Sequence, residues 1–466
     1  LGDSAGKGGT TSAPYSSGGN NTAIGKSALA GFTTGFSNVA IGYQTLDALT
    51  TAYGNTAIGY QAGSALTTET NNTIIGSSAG DAMTNATGTV IIGENAGRAI
   101  NSTGANGTVA IGNSAGNAIT SGQGNMAIGY GAMTSQTNGN FSTAVGYQAL
   151  NQLNKSGTVG NTALGYKAGY GQTTAGYENV HIGYNAGIAH TGEESVIIGS
   201  NAGASATTQA YLVLIGKAAG ANINNDGADG TIAIGYQAGT AITSGQKNTA
   251  IGYEALYTQV DGDQNTAIGY QALKMAEASS DGYGNNTAIG ALALTSLTTG
   301  TGNVAVGTQC LDASTDGDGN IAIGYDALSN VAVSEDFNIA IGYDAMKGVD
   351  EGTAGGDADH NIAIGFNTLY GGDFAGNDRQ LQGNIAIGSG ALDATGTNAQ
   401  TGTIAIGRNA LTALTSGTGN TAIGYQAGAE HTTGINNTVI GYNAMNEAGG
   451  GSAGADSGCN EWAAAG

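Results

Sequence analysis

An Ala-Ile-Gly triplet comes back along this chain at a nearly constant interval, and no other feature restricts the possible folds so much. Aligned on its glycine, 24 copies run from Gly25 to Gly441; of the 23 spacings between them, 13 are 17 residues and none is shorter than 16. Counting from this anchor glycine, position −1 is Ile in 21 copies, with Val145, Leu164 and Val306 the exceptions. Position −2 is Ala in 18 copies, +3 is Ala in 21, and −4 is Asn in 17, with six of the other seven Ser or Thr. Position +4 is always Gly or a Leu/Met, and +7 is often aliphatic, as at Leu66, Met83, Ile100, Ile119, Leu153, Ile242 and Leu414.

Seventeen residues are too few for two helices and a turn, since α-containing repeats need about 20 or more. Short Ile-rich runs bounded by Gly, Asn and Thr read instead as strands. The expected fold is all-β: a parallel β-solenoid of about 24 coils over residues 21–445. Residues 1–20 read as a low-complexity N-terminal segment or cap, and 446–466 as a Gly/Ala-rich C-terminal tail. Each coil would stack in register on the next, one strand spacing (about 4.8 Å) away. In that stack Thr-Ala-Ile-Gly forms one strand and Tyr-Gln-Ala-Leu/Gly a second. The −1 Ile is expected to fill the narrow interior, and the +3 Ala to mark close packing. The anchor glycine would turn a corner at positive φ. Asn at −4 would bond its own turn and, stacked, form an amide ladder. Insertions fall in the turn before Asn; the spacing reaches 23 on either side of Gly365.

Composition removes several alternatives. The chain has 85 glycines, one proline and only 9% charged residues, which fits neither a charged disordered chain nor collagen. With 33 acidic against 11 basic residues, its net charge of −22 repels nucleic-acid backbones. It has no apolar run long enough to span a membrane and no basic amphipathic segment, so membrane insertion is not expected. Residues 1–20 lack a signal-peptide pattern and the first residue is not Met, so a processed chain or a segment of a longer one is expected. The two cysteines, Cys310 and Cys459, make no disulfide framework.

Catalytic chemistry finds little footing. His181, His190, His360 and His431 fall in different turns and coils without a Ser-His-Asp or Cys-His context, so no enzyme and no catalytic residue is expected. Cys310 occupies an Ala position and reads as a buried, inert thiol. Phosphate-loop and calcium β-roll motifs are missing from the sequence, and no cofactor is expected. The alternative is that acidic turns carrying Asp316, Asp318, Asp357 and Asp359 hold calcium through oxygen ligands; the plainer reading is solvated carboxylates that keep the protein soluble. Tyrosine follows the anchor glycine in 13 copies, including Tyr43, Tyr60, Tyr130, Tyr147, Tyr166, Tyr184, Tyr236, Tyr253 and Tyr270. Stacked, these would form an aromatic ladder that either binds glycans or stiffens the stack and packs between chains. The core of one coil is thin, which points to self-association, most simply as a parallel homotrimer. An ice-binding solenoid would need a repeated Thr-x-Thr face, which this chain does not have.

The string Asn-Thr-Ala-Ile-Gly-Tyr-Gln-Ala, at Asn55–Ala62 and Asn265–Ala272, resembles the YadA-like head repeats of trimeric autotransporter adhesins and the repetitive shafts of bacteriophage tail fibres. The resemblance covers residues 21–445, with coils somewhat longer than those of adhesin heads. It implies a left-handed β-roll, trimeric, on a virion or a bacterial surface. The function it implies is the shaft of a tail or head fibre supporting attachment to a host glycan or protein receptor. The alternatives are an adhesin head, or an extracellular filament or ice-binding solenoid.

Overall fold

The computed structural model describes residues 2–8, 18–174, 176–276, 284–330, 335–349, 358–371, 380–395 and 399–446. The chain divides into two compact units, Leu1–Thr231 and Ile232–Gly466. In the first, three-residue strands recur from Thr22–Ile24 to Val213–Ile215; in the second, from Ile232–Ile234 to Thr438–Ile440. Within each unit every such rung pairs in parallel with the next, like residue on like: Thr22 on Val39, Ala23 on Ala40 and Ile24 on Ile41, or Thr249 on Thr266, Ala250 on Ala267 and Ile251 on Ile268. Both units are therefore parallel β-solenoids with a period near 17 residues.

Insertions leave the rungs in register, as the spacing predicts. Across the two 23-residue intervals Ile339 pairs with Ile362 and Ile362 with Ile385. In two of the four intervals of 19, those before Gly112 and Gly235, the extra residues wind into short 3₁₀ turns at Thr103–Ala105 and Asp226–Ala228. Ser102 and Asn225 cap these turns by accepting the amide hydrogens of Gly104 and Gly227. At the chain's start, Ser27 donates its backbone hydrogen to Asp3 and Gly6 donates to Ala28, so residues 2–8 continue the stack. The signal was present in Gly2-Asp3-Ser4-Ala5-Gly6, which matches the pattern from the anchor to +4.

The interior differs from the sequence expectation in a specific way. The −1 Ile does not fill it. Side chains alternate along a strand, and in each rung the middle residue points inward: Ala40, Ala57, Ala250 and Ala267 are fully buried. Positions −3 and −1 must then face outward, and Ile24 is 45% exposed. The reason is width. The wall opposite the rung, at +3 and +4, lies so close that Ala is the usual residue on the inside. Apart from Val439 in the last rung, whose +4 residue is Met445, larger −2 residues occur where the facing +4 position is glycine. Ile74 sits with Gly80, Ile91 with Gly97, Ile197 with Gly203 and Leu214 with Gly220, and in each pair a Cβ on the glycine would fall within 3.7 Å of the larger side chain. The aliphatic +7 residues, such as Leu66, Met83 and Ile119, complete the core and are fully buried.

The second wall is not a strand either. Tyr-Gln-Ala-Leu/Gly forms consecutive turns in which +2 and +4 are left-handed, as at Gln44 and Leu46 with φ near +50°. Alternation of this kind turns successive amides in opposite directions: Gln44 donates back to Lys26 O, while Leu46 donates forward to Ala62 O. A left-handed Leu costs about 1–2 kcal/mol in backbone strain, which burial of its side chain offsets. Three +3 positions depart from Ala, and each side chain bonds a glycine carbonyl: Thr45 to Gly59, Thr368 to Gly388 and Cys310 to Gly307.

The expected Asn ladder is present. Asn55 donates its backbone and side-chain N–H groups to Asn38 Oδ1 and also donates to Glu69 O; Asn72 repeats the pattern onto Asn55 and Ala86 O. These amides are buried, and each links its own rung to the turn of the following coil.

Candidate functional site

The outward face of the rungs is the most uniform surface of either unit. Position −1 is Ile, Val or Leu, and position −3 is Thr, Val or Ile throughout except Met126, with no charged residue in either row. Sequence reasoning placed the Ile row inside. The clue that these rows face outward was their strict alternation with Ala across a three-residue strand.

The tyrosines stack as expected. Tyr43 lies over Tyr60 at 5.3 Å between ring centroids. Tyr130, Tyr147, Tyr166 and Tyr184 form a run spaced 5.1–5.2 Å with planes 9° apart. Tyr236, Tyr253 and Tyr270 form another, and Tyr343 continues from Tyr325 to Phe366. The rings follow the outward Ile by two residues and are about half exposed. Runs end where +1 is not aromatic, such as Ser77 after Tyr60 and Ser200 after Tyr184.

Asp318 accepts the Thr301 backbone hydrogen, Asp336 accepts that of Asp318, and Asp359 accepts that of Asp336, at 2.6–2.8 Å. These carboxylates thus form a ladder at −6, the same service that Asn140 gives Gln123 and Asp263 gives Gln246. Burial, with added repulsion from Asp359, Asp318 and Asp316, pushes the Asp336 carboxyl above its ordinary value. Asp316 bonds locally with Thr315, and Asp357 lies outside the described residues. Among the described residues no three His, Cys, Asp or Glu side chains converge to hold a metal ion. Cys310 is buried, and burial pushes its thiol up to about 12.

Two histidines that the sequence left scattered come together inside one coil. His181, in a −2 position opposite Gly187, lies 3.2 Å from His190 Nδ1 through its Nε2; His190 Nε2 is 2.9 Å from Gln209 O. A carbonyl only accepts, so His190 carries its hydrogen on Nε2 and accepts one from His181 on Nδ1. His181 Nδ1 then faces the core with no partner. Burial drives both rings down, His190 to about 4 and His181 well below its ordinary value. Unfolded imidazoles take up protons below about pH 6.5, so between there and pH 4 the unfolded chain binds more protons than the folded one. Stability present above pH 6.5 is lost as pH falls through that window, by roughly 3 kcal/mol for His190. The double variant His181→Ile with His190→Leu is expected to lose less melting temperature between pH 7.5 and pH 4.5 than the unmodified chain. An equal loss in both would show that the pair is not the acid-sensitive element.

No protein-family model matches this chain, and no curated protein matches it either.

Proposed function

We propose that this chain is a structural fibre protein that works by self-association along its outward rung face, most like the shaft of a phage tail or head fibre that supports attachment to a host cell. The observation that carries this reading is the uncharged Ile/Val/Thr face, left partly exposed in a chain whose net charge is −22. Contiguous exposed apolar surface of this kind marks an interaction site. Its repeat selects the partner. A surface that presents the same side chain at every strand spacing is matched along its whole length only by a chain with the same period, and the simplest such chain is another copy. Three copies with their Ile rows on a common axis would bury those rows and set the tyrosine ladders at the seams. Nothing in this reading requires catalysis, a cofactor or a metal. The head of a bacterial surface adhesin is the runner-up, since the repeat string is shared by both groups; antibody labelling of virions rather than of the cell envelope separates them.

Sedimentation velocity tests the assembly. The chain should sediment at three times its 45.4 kDa mass, and the triple variant Ile41→Asp, Ile58→Asp, Ile75→Asp should shift most of it to the monomer. The rung interior is untouched by these changes, so the circular dichroism of the variant should remain that of a β-protein. A monomeric parent chain, or a variant that keeps the full mass, removes the proposal.

A further inference from the structure

In the first unit a cleft of about 460 Å³ opens between the turns of three consecutive coils, lined by Thr191, Glu193, Thr208, Tyr211 and Asp229. Tyr211 stands at −5, where the backbone is left-handed and most coils place Gly or Asn. It holds φ +60° and leaves its side chain 54% exposed. Bulky residues hold left-handed backbone elsewhere in this chain too, so what sets Tyr211 apart is what surrounds its side chain. Phe141 and Phe337 occupy the same position in other coils, but their rings lie over Gly124 and Gly319 of the preceding coil. Tyr211 instead borders open space between two carboxylates.

Those carboxylates come from the coils on either side and are already oriented. Glu193 accepts the hydrogen of the Tyr177 hydroxyl, and the Tyr177 ring is itself held under the Lys155 ammonium, 3.9 Å from its centroid. Asp229 accepts the Ala210 backbone hydrogen at 2.9 Å, which leaves its second oxygen directed elsewhere. The wall thus offers one aromatic face, two fixed acceptors and two threonine side chains, with no cation in its lining. An aromatic face takes up the C–H surface of a pyranose ring, while carboxylates accept its hydroxyls. Sialylated, sulfated or phosphorylated ligands would meet like charge. The volume lies in the range of small-molecule sites.

We infer that this cleft binds a neutral saccharide, with Tyr211 as its platform and Glu193 and Asp229 as acceptors for the sugar hydroxyls. The inference supplies a ligand class for the attachment reading and rests on it for its purpose, although the cleft belongs to a single unit.

The test is an array of immobilised oligosaccharides ending in neutral hexoses, N-acetylhexosamines, amino sugars and sialic acid, probed with the full chain and followed by calorimetric titration of the best binder. Neutral termini should be bound, and Tyr211→Gly should weaken that binding at least ten-fold. Glycine relieves the left-handed backbone, so the same variant should melt no lower than the parent, and Tyr211→Phe should keep most of the affinity. The inference is overturned if no neutral terminus is bound, if only amino sugars are bound, or if Tyr211→Gly binds as the parent does. Sedimentation of the same samples keeps the two proposals apart: a monomer that still binds saccharide defeats the assembly and leaves the cleft, and an intact trimer that binds none does the reverse.

Discussion

Gly252→Ala should unfold the coils around it. The anchor glycine has φ +139°, a region in which L-residues with side chains are strained. A Cβ there would also run into the backbone of the next coil, meeting Gly269 O and lying 2.7 Å from Gly269 C. The obstacle is main chain, which cannot rotate away without breaking the register of Thr249–Ile251 on Thr266–Ile268. Strain and clash together are expected to cost about 4 kcal/mol or more. Gly402→Asn is the control. It sits at −5 with φ +62° and nothing within 4 Å of its would-be Cβ, and Asn436 holds the same position in a nearby coil at φ +56°. The control should cost less than about 1 kcal/mol. Denaturant melts, with amide exchange at the two rungs, report both variants; equal behaviour of the two would refute this account of why the anchor is glycine.

Asn320→Leu is the second large effect. Asn320 donates through Nδ2 to Glu335 O at 2.7 Å, and its Oδ1 accepts both the backbone and side-chain hydrogens of Asn338 at 2.9 and 3.2 Å. Leucine removes three bonds and takes the acceptor away from two buried N–H groups of Asn338. Each such orphan costs about 1–3 kcal/mol, for a total loss near 4 kcal/mol. The chain itself contains one leucine in the ladder, and its surroundings show why it is tolerated. Leu212 gives its N–H to Ser195 Oγ, and the next residue in the ladder, Thr231, donates to Ala228 O within its own 3₁₀ turn instead of needing a side-chain acceptor from the coil before. Asn338 has no such local turn, and its backbone hydrogen goes to Asn320. A melting temperature for Asn320→Leu close to the parent's would mean that the ladder is ornamental.

The repeat made the architecture legible in the sequence. Period, the position of the Thr-Ala-Ile strand, insertion sites and the Asn ladder are all local consequences of one pattern, and each was visible because a solenoid stacks every position on its own copy; the second expected strand, Tyr-Gln-Ala-Leu/Gly, is a series of turns. The histidine pair was not legible, because His181 and His190 are nine residues apart and meet only where the coil closes on itself. The cleft was equally hidden: Glu193, Tyr211 and Asp229 are ordinary turn residues until stacking sets them side by side.

What the amino-acid order determined by itself is the period, and with it parallel, in-register pairing, because identical residues 17 apart can only be stacked like on like. What tertiary structure decided is which side of each rung is inside. Ile is the more hydrophobic residue and Ala the smaller, and hydrophobicity alone assigns Ile to the core. The distance to the opposite wall overrules that assignment, since the space between rung and turn usually admits only Ala, with Ile, His or Leu where glycine stands across from it and Val439 in the last rung the one other case. Alternation along the strand then turns the Ile row outward.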